Sequence, residues 1–187
     1  MISLGSKVYA KVLARRLQER SERLLWEAQG GFKPGRVCMD QIFSLRMITE
    51  KFLVVNQKVF CAFVKLEKAF DRIVRAKLWE ILPRYNVSGP LLQAVRSLYR
   101  DHVACVREEA GMSPWFDIRS DVKQGCVMSA WLFNLYFQIC LQGVKQSDMG
   151  VKVGDLNVDC LLYADDAMLM IIRMLVTGIS HRSKRTM

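Results

Sequence analysis

Paired cysteines and clustered histidines are what this sequence lacks. Its six cysteines (Cys38, Cys61, Cys105, Cys126, Cys140 and Cys160) are scattered, no two form a CxxC pair, and the only histidines are His102 and His181. That spacing speaks against a zinc site and against a disulfide framework, leaving reduced intracellular thiols as the default. No Ser/His/Asp arrangement, P-loop or dinucleotide fingerprint is present. Long uninterrupted apolar runs are missing too. Lys7 and Lys11 break the N-terminus before a signal-peptide core can form, and Asp165, Asp166 and Arg173 break the most apolar region, around 160–179. Neither secretion nor a membrane span is expected. Acidic residues are few beside basic ones, 18 against 28, for a formal net charge of +10. Such a balance favours an anionic partner, with nucleic acid ahead of a membrane surface.

What is there is globular: 187 residues, 51% hydrophobic and 25% charged, enough for one domain with a core or for part of a larger one. Residues 6–25 carry Val8, Val12, Leu13, Leu17 and Leu24 near helical spacing, with Lys7, Lys11 and Arg15 on another face. This predicts a basic amphipathic helix able to contact phosphates. The stretch 29-QGGFKPGR-36 is a glycine- and proline-punctuated loop that exposes Lys33 and Arg36. Asp40 can cap a helix running to about Val55, with Ile42, Leu45, Ile48 and Phe52 on its apolar side. The apolar, β-branched run 59–66 predicts a buried strand. Helices follow at 75–85 and 90–100, strands at 103–108 and 115–122, then one buried helix over 130–144. Gly154-Asp155 can turn a hairpin between 150–153 and 156–163, and a second tight turn at Asp165-Asp166 returns the chain along 167–172. Helices and strands mix without a βαβ rhythm, which predicts an α+β domain.

The stretch 158-VDCLLYADDAMLM-170 holds two adjacent carboxylates in an apolar run. Burying ionised carboxylates is costly unless they are paired, hydrogen-bonded or bound to a metal. At a hairpin tip both can face one open side, and oxygen-rich sites of that kind suit Mg²⁺, which takes one or two carboxylates together with water and substrate phosphates. A basic chain with such a site points to phosphoryl-transfer chemistry on a polyanion.

The sequence 163-YADD-166 resembles the active-site hairpin of reverse transcriptases, and four further stretches resemble the LINE-type (non-LTR) members of that family in the same order: 7-KVYAKVLARRL-17, 29-QGGFKPGRVCMDQIFSLR-46, 63-FVKLEKAFDRI-73 and 122-VKQGCVMSAWLFN-134. The resemblance covers roughly residues 2–170. It implies a right-hand polymerase with palm and fingers over 1–170, the thumb missing, and a basic tail at 171–187 without family resemblance, as in a truncated copy of a retrotransposon reading frame. It further implies RNA template, DNA primer and dNTPs as partners, no membrane, and a nuclear or cytoplasmic location. Asp165 and Asp166 would be the catalytic carboxylates that hold Mg²⁺. Phe70 would exclude ribonucleotides by bulk, Gln124 and Gly125 would contact the incoming nucleotide, and Lys33 and Arg36 would neutralise triphosphate or template phosphates.

This copy departs from the pattern where it matters most. The family's strand motif reads F-x-D-x-x-K-A-F-D, and its first Asp is the third metal-binding carboxylate; here that position is Lys65. The change removes an oxygen ligand and swings the local charge by two units. An ammonium about 4 Å from a carboxylate is attracted by roughly 4 kcal/mol at an effective dielectric near 20, so an ion pair of Lys65 with Asp165 or Asp166 is expected in place of Mg²⁺. Glu67 lies about 6.5 Å further along the strand, and Asp71 lies past its end. Ala130 and Val74 stand where the family usually has proline. The expectation is a catalytically dead reverse transcriptase domain; the alternative is a non-catalytic, basic nucleic-acid-binding remnant.

Overall fold

The computed structural model describes residues 4–100, 103–108, 111–118, 120–123, 125–147 and 150–172. Gln124 and residues 173–187 of the basic tail therefore lie outside the described residues. In chain order, α1 (Leu4–Ser21) ends in a 3₁₀ turn at Glu22–Leu24, and α2 (Cys38–Val54) leads to β1 (Phe60–Lys65). Helix α3 (Arg75–Ile81) continues as a 3₁₀ turn over Leu82–Tyr85, then α4 (Gly89–Ser97) follows. Four two-residue strands come next: β2 (Val103–Ala104), β3 (Arg107–Glu108), β4 (Gly111–Met112) and β5 (Phe116–Asp117). The chain then forms α5 (Ser129–Cys140), α6 (Gln142–Gln146), β6 (Val151–Val153), β7 (Leu156–Val158), β8 (Cys160–Tyr163) and β9 (Asp166–Ile171). This is the expected α+β mixture.

The sheet that positions the site has the antiparallel order β1-β9-β8. Cross-strand rows run through its middle strand β9: Met168 pairs with Phe63 on one side and Leu161 on the other, Ala167 with Val64 and Leu162, and Asp166 with Lys65 and Tyr163. Side chains alternate faces along a strand, so the sheet separates two cores. Leu162, Ala167 and Cys160 pack into the larger one with Leu17, Leu78, Leu82, Trp131 and Leu135. Met168 and Met170 pack on the other side with Ile48 and Phe52 of α2. Helix α5 is apolar nearly all round, as a helix threading the core must be; Trp131, Leu132, Phe133 and Leu135 are all buried. Burial of each such side chain stabilises by about 1.5–3 kcal/mol.

Several expectations need correction. The run 59–66 forms a strand, but an exposed one: every residue of β1 is exposed, Phe63 at 76%. It is the outer strand of a three-stranded sheet, and α2 covers only the far part of its face. On α1 the core face is Ala10, Leu13, Ala14, Leu17 and Ser21 rather than Val8, Val12 and Leu24. Small residues there let neighbouring elements approach closely, and Ser21 is fixed by accepting the Trp131 indole N–H at 2.8 Å and donating to the Leu17 carbonyl at 2.7 Å. The helix expected over 130–144 breaks at Leu141 into α5 and α6.

The strands expected over 103–108 and 115–122 are reduced to the two-residue pairs β2–β5 and β3–β4, and the strand expected over 156–163 divides at Asp159 into β7 and β8, which join different sheets. Two local signals hold. Asp40 caps α2 from its third position, its carboxylate accepting the Val37 N–H at 2.8 Å. Gly154, at φ +62, turns the β6–β7 hairpin.

Candidate functional site

The β8–β9 turn is a two-residue turn that carries the paired carboxylates. Tyr163 pairs with Asp166 across it, leaving Ala164 and Asp165 as the tip. Ala164 sits at φ +56, a left-handed conformation that costs a residue with a Cβ on the order of 1 kcal/mol. The turn is kept in that shape from outside. Residues 28–30 run beside β8 as a short parallel partner, with the Leu162 N–H on the Ala28 carbonyl at 2.9 Å and the Gly30 N–H on the Leu162 carbonyl at 2.8 Å. The buried Gln29 amide then brackets the turn peptide: its Oε1 accepts the Ala164 N–H at 3.0 Å and its Nε2 donates to the Ala164 carbonyl at 3.2 Å. The same oxygen accepts the Gly31 N–H at 2.8 Å, and the Gly31 carbonyl accepts from Asn134 Nδ2 at 2.8 Å.

Gly31 lies so close that a Cβ built on it would stand 2.1 Å from the Ala164 nitrogen. Gln29 and Gly31 are therefore the principal supports of the carboxylate turn, and sequence reasoning missed both. Loop composition alone directs attention to the charged Lys33 and Arg36. The available signal was a glutamine followed by two glycines, which marks a place where another backbone comes close.

Around this turn the separate motif stretches meet. Phe32 of the loop packs edge-on against Phe70 with ring centroids 6.3 Å apart, and Phe70 stacks on Phe133 at 4.5 Å. Phe70 is half-buried at the border of the larger core. Gly125 adopts φ +79 with open space where a Cβ would be, so it answers a conformational need and not a close approach within the chain.

The charges are arranged differently from expectation. Asp165 is half-buried and Asp166 exposed, so neither is the deeply buried carboxylate its apolar surroundings suggested. Lys65 stands directly across from Asp166 in the sheet register, where paired Cα atoms lie about 4.5–5.5 Å apart. Among the described residues, however, Lys65 forms no ion pair with Asp165 or Asp166. Both groups are solvated at the end of an exposed strand, and in high dielectric the attraction does not offset the side-chain entropy of holding them together. Lys65, Tyr163 and Asp166 instead rim an apolar groove of about 410 Å³ that continues between Phe63 on the sheet and Leu45 on α2.

Lys33 is a further correction. Its side chain is only 8% exposed and bonds Glu27 at 3.1 Å, while Arg36 pairs with the other oxygen of the same carboxylate. That neighbourhood, Lys33 foremost, lowers the Glu27 pKa. Both basic residues of the loop are thus held by an internal anion.

The fit to a Mg²⁺ centre can be judged from the donors. Among the described residues no group of three or more His, Cys, Asp or Glu side chains converges. The tip offers two carboxylates, with an ammonium facing the second. That set does not fit the three-carboxylate, two-metal arrangement the motif resemblance implies.

Comparison with known proteins agrees with the motif reading. A family model described as reverse transcriptase (RNA-dependent DNA polymerase) matches residues 1–177. The chain is 25% identical over 174 residues to the transposon TX1 uncharacterized 149 kDa protein of Xenopus laevis, covering 91% of this chain and 13% of that one. It is 26% identical over 159 residues to the retrovirus-related Pol polyprotein from the type-2 retrotransposable element R2DM of Drosophila melanogaster, covering 84% and 15%. The chain thus spans about one seventh of the length of these relatives. Among solved structures, telomerase from Candida albicans, in complex with a fragment of telomeric RNA, superposes with a TM-score of 0.60 at 15% identity over 89% of this chain and 30% of that one. Telomerase from Candida tropicalis gives 0.64 at 12% identity over 88% and 28%.

Proposed function

The chain belongs to the reverse transcriptase family, and we propose that it is the fingers and palm portion of a LINE-type retrotransposon polymerase whose chemistry has been lost at a single strand position. In this reading β1 and the β8–β9 hairpin form the palm surface, and the N-terminal third forms the fingers. RNA template, DNA primer and dNTPs are the partners for which the surface was shaped. Asp165 and Asp166 are the surviving metal-binding carboxylates. Phe70 sets the wall against the sugar, Gly125 and Gln124 belong to the loop facing the incoming nucleotide, and Lys33 and Arg36 meet phosphates once Glu27 releases them.

The observation that carries the proposal is the register Lys65↔Asp166. The strand, its pairing and the turn are retained, so an acid at position 65 would face the two others, and a lysine there replaces the missing ligand with a positive charge. No transfer step is therefore assigned to the chain as written. Its residues hold the turn, shape the groove and present a basic surface. Mg²⁺-dependent primer extension on an RNA template tests this, comparing the chain with its Lys65→Asp variant. The expected result is no extension by the parent and measurable extension by Lys65→Asp. Extension by the parent would refute the role given to Lys65.

A further inference from the structure

A second cationic site lies away from the hairpin, on the surface formed by α3 and α4. There Arg75, Trp79, Gln93, Arg96, Tyr99 and Arg100 line an open cavity of about 500 Å³. Its floor is rigid. Tyr99 is buried, which pushes its phenol up to about 12. The Arg75 guanidinium lies 5.1 Å from its ring centroid and the Lys123 ammonium 5.7 Å, while Trp79 packs against it at 5.5 Å. Arg75 is engaged: its Nε donates to the Asp121 carbonyl at 3.0 Å, its Nη1 to the Ile118 carbonyl at 2.7 Å, and its Nη2 to the Asp121 carboxylate.

Arg96 and Arg100 are different. They are exposed and four residues apart, Arg96 in the last turn of α4 and Arg100 in the turn that follows it, and among the described residues neither has an acidic partner. The negative end of α4 accounts for one of them. It does not account for two guanidinium groups and an amide gathered over an aromatic floor.

We propose that this cavity is a nucleic-acid contact, in which Arg96 and Arg100 hold a backbone phosphate of a single strand and Trp79 receives an adjacent base. Guanidinium forks match phosphate oxygens, and an aromatic face accepts any base without sequence preference. A flat lipid surface cannot reach into a recess of this kind as a single phosphodiester can. The inference rests on the reading that the chain handles nucleic acid, but it is independent of the chemistry at Lys65.

The test is equilibrium binding of fluorescein-labelled 16-nucleotide RNA and DNA single strands across a salt series. Arg96→Gln/Arg100→Gln is compared with the parent and with Lys51→Gln/Lys58→Gln, which removes the same charge elsewhere. Losing the grip on that one phosphate should weaken binding about tenfold and reduce the slope of log affinity against log salt by roughly 0.7. Trp79→Ala should weaken binding with the slope unchanged. Equal losses from the two double variants would overturn the site and leave only diffuse attraction. Competition by inorganic phosphate as strong as by the strands, or a loss confined to anionic vesicles, would overturn nucleic acid as the occupant. Failure of the parent to bind either strand would refute the nucleic-acid reading itself.

Discussion

Replacing Gly31 by alanine is a one-carbon change whose consequence can be worked out from geometry. A Cβ at that position would lie 2.1 Å from the Ala164 nitrogen and 2.7 Å from its Cα. These are backbone atoms of a turn already held by Gln29 on both sides, so neither can swing away as a side-chain tip would. Overpacking of this kind costs about 1–3 kcal/mol. If the loop retreats, it also weakens the bonds linking Gly30 and Ala28 to Leu162 and those of Gln29 to Ala164, each worth about 1 kcal/mol. The total is roughly 3–6 kcal/mol, a large share of the ~5–15 kcal/mol by which domains are stable.

For a chain of this size each kcal/mol moves the melting temperature by about 2–4 °C, so Gly31→Ala should melt at least ~6 °C below the parent. Gly143→Ala supplies the control, because nothing lies within 4 Å of the Cβ it would add. In α6 that change should be neutral or stabilise by up to about 1 kcal/mol. The same substitution thus has opposite signs at two glycines. Melting of Gly31→Ala within ~2 °C of the parent would refute the packing of the loop against the turn.

Other expectations follow from individual contacts. Asp159 is buried and its one ion-pair partner among the described residues is Lys145, at 3.2 Å; Lys145→Met should destabilise by about 1.5–3 kcal/mol, and an unchanged urea midpoint would count against the pair. Glu27 has a lowered pKa in the folded chain, so its contribution is present above the unfolded carboxylate value and is lost as pH falls through the folded one. Glu27→Gln should flatten that acid limb and raise oligonucleotide affinity by freeing Lys33 and Arg36; unaltered binding would remove their phosphate role. Burial pushes the Cys160 thiol up to about 12, leaving roughly one thiolate in ten thousand at pH 8. Iodoacetamide on the native chain should therefore label the exposed Cys38 and Cys61 and spare Cys160, as mass spectrometry of the digested peptides can check.

How much of this was legible in the sequence depended on how local the cause was. The β6–β7 turn, the start of α4 at Ser88-Gly89-Pro90 and the paired strands around Asp165 each announce themselves through a few adjacent residues. The position of Lys65 opposite Asp166 was reachable through the motif pattern. What could not be read was cause at a distance. Gln29 brackets a peptide 135 residues away, and Ala164 takes a left-handed conformation with no glycine to signal it. The exposure of β1 was equally invisible, since an apolar run looks the same in a core strand and in an outer one. Lys33 was misjudged because its partner, Glu27, lies outside the loop whose composition suggested exposure.

The sheet is asymmetric at its margins. Residues 28–30 cover the outer side of β8, whereas among the described residues no strand pairs with the outer side of β1. A bare row of backbone donors and acceptors beside Phe60, Phe63 and Val64 is a template on which a second copy can add a strand. Within β1 the single charge is Lys65, and a charged residue on an open edge strand acts as a gatekeeper against self-pairing. Its repulsion between copies is electrostatic and screened by salt. Raising salt, which strips a strongly basic chain from nucleic acid, would at the same time lower the barrier to its aggregation. For such a chain bound to the nucleic acid proposed above, solubility and release would be tied to the same variable, with opposite signs.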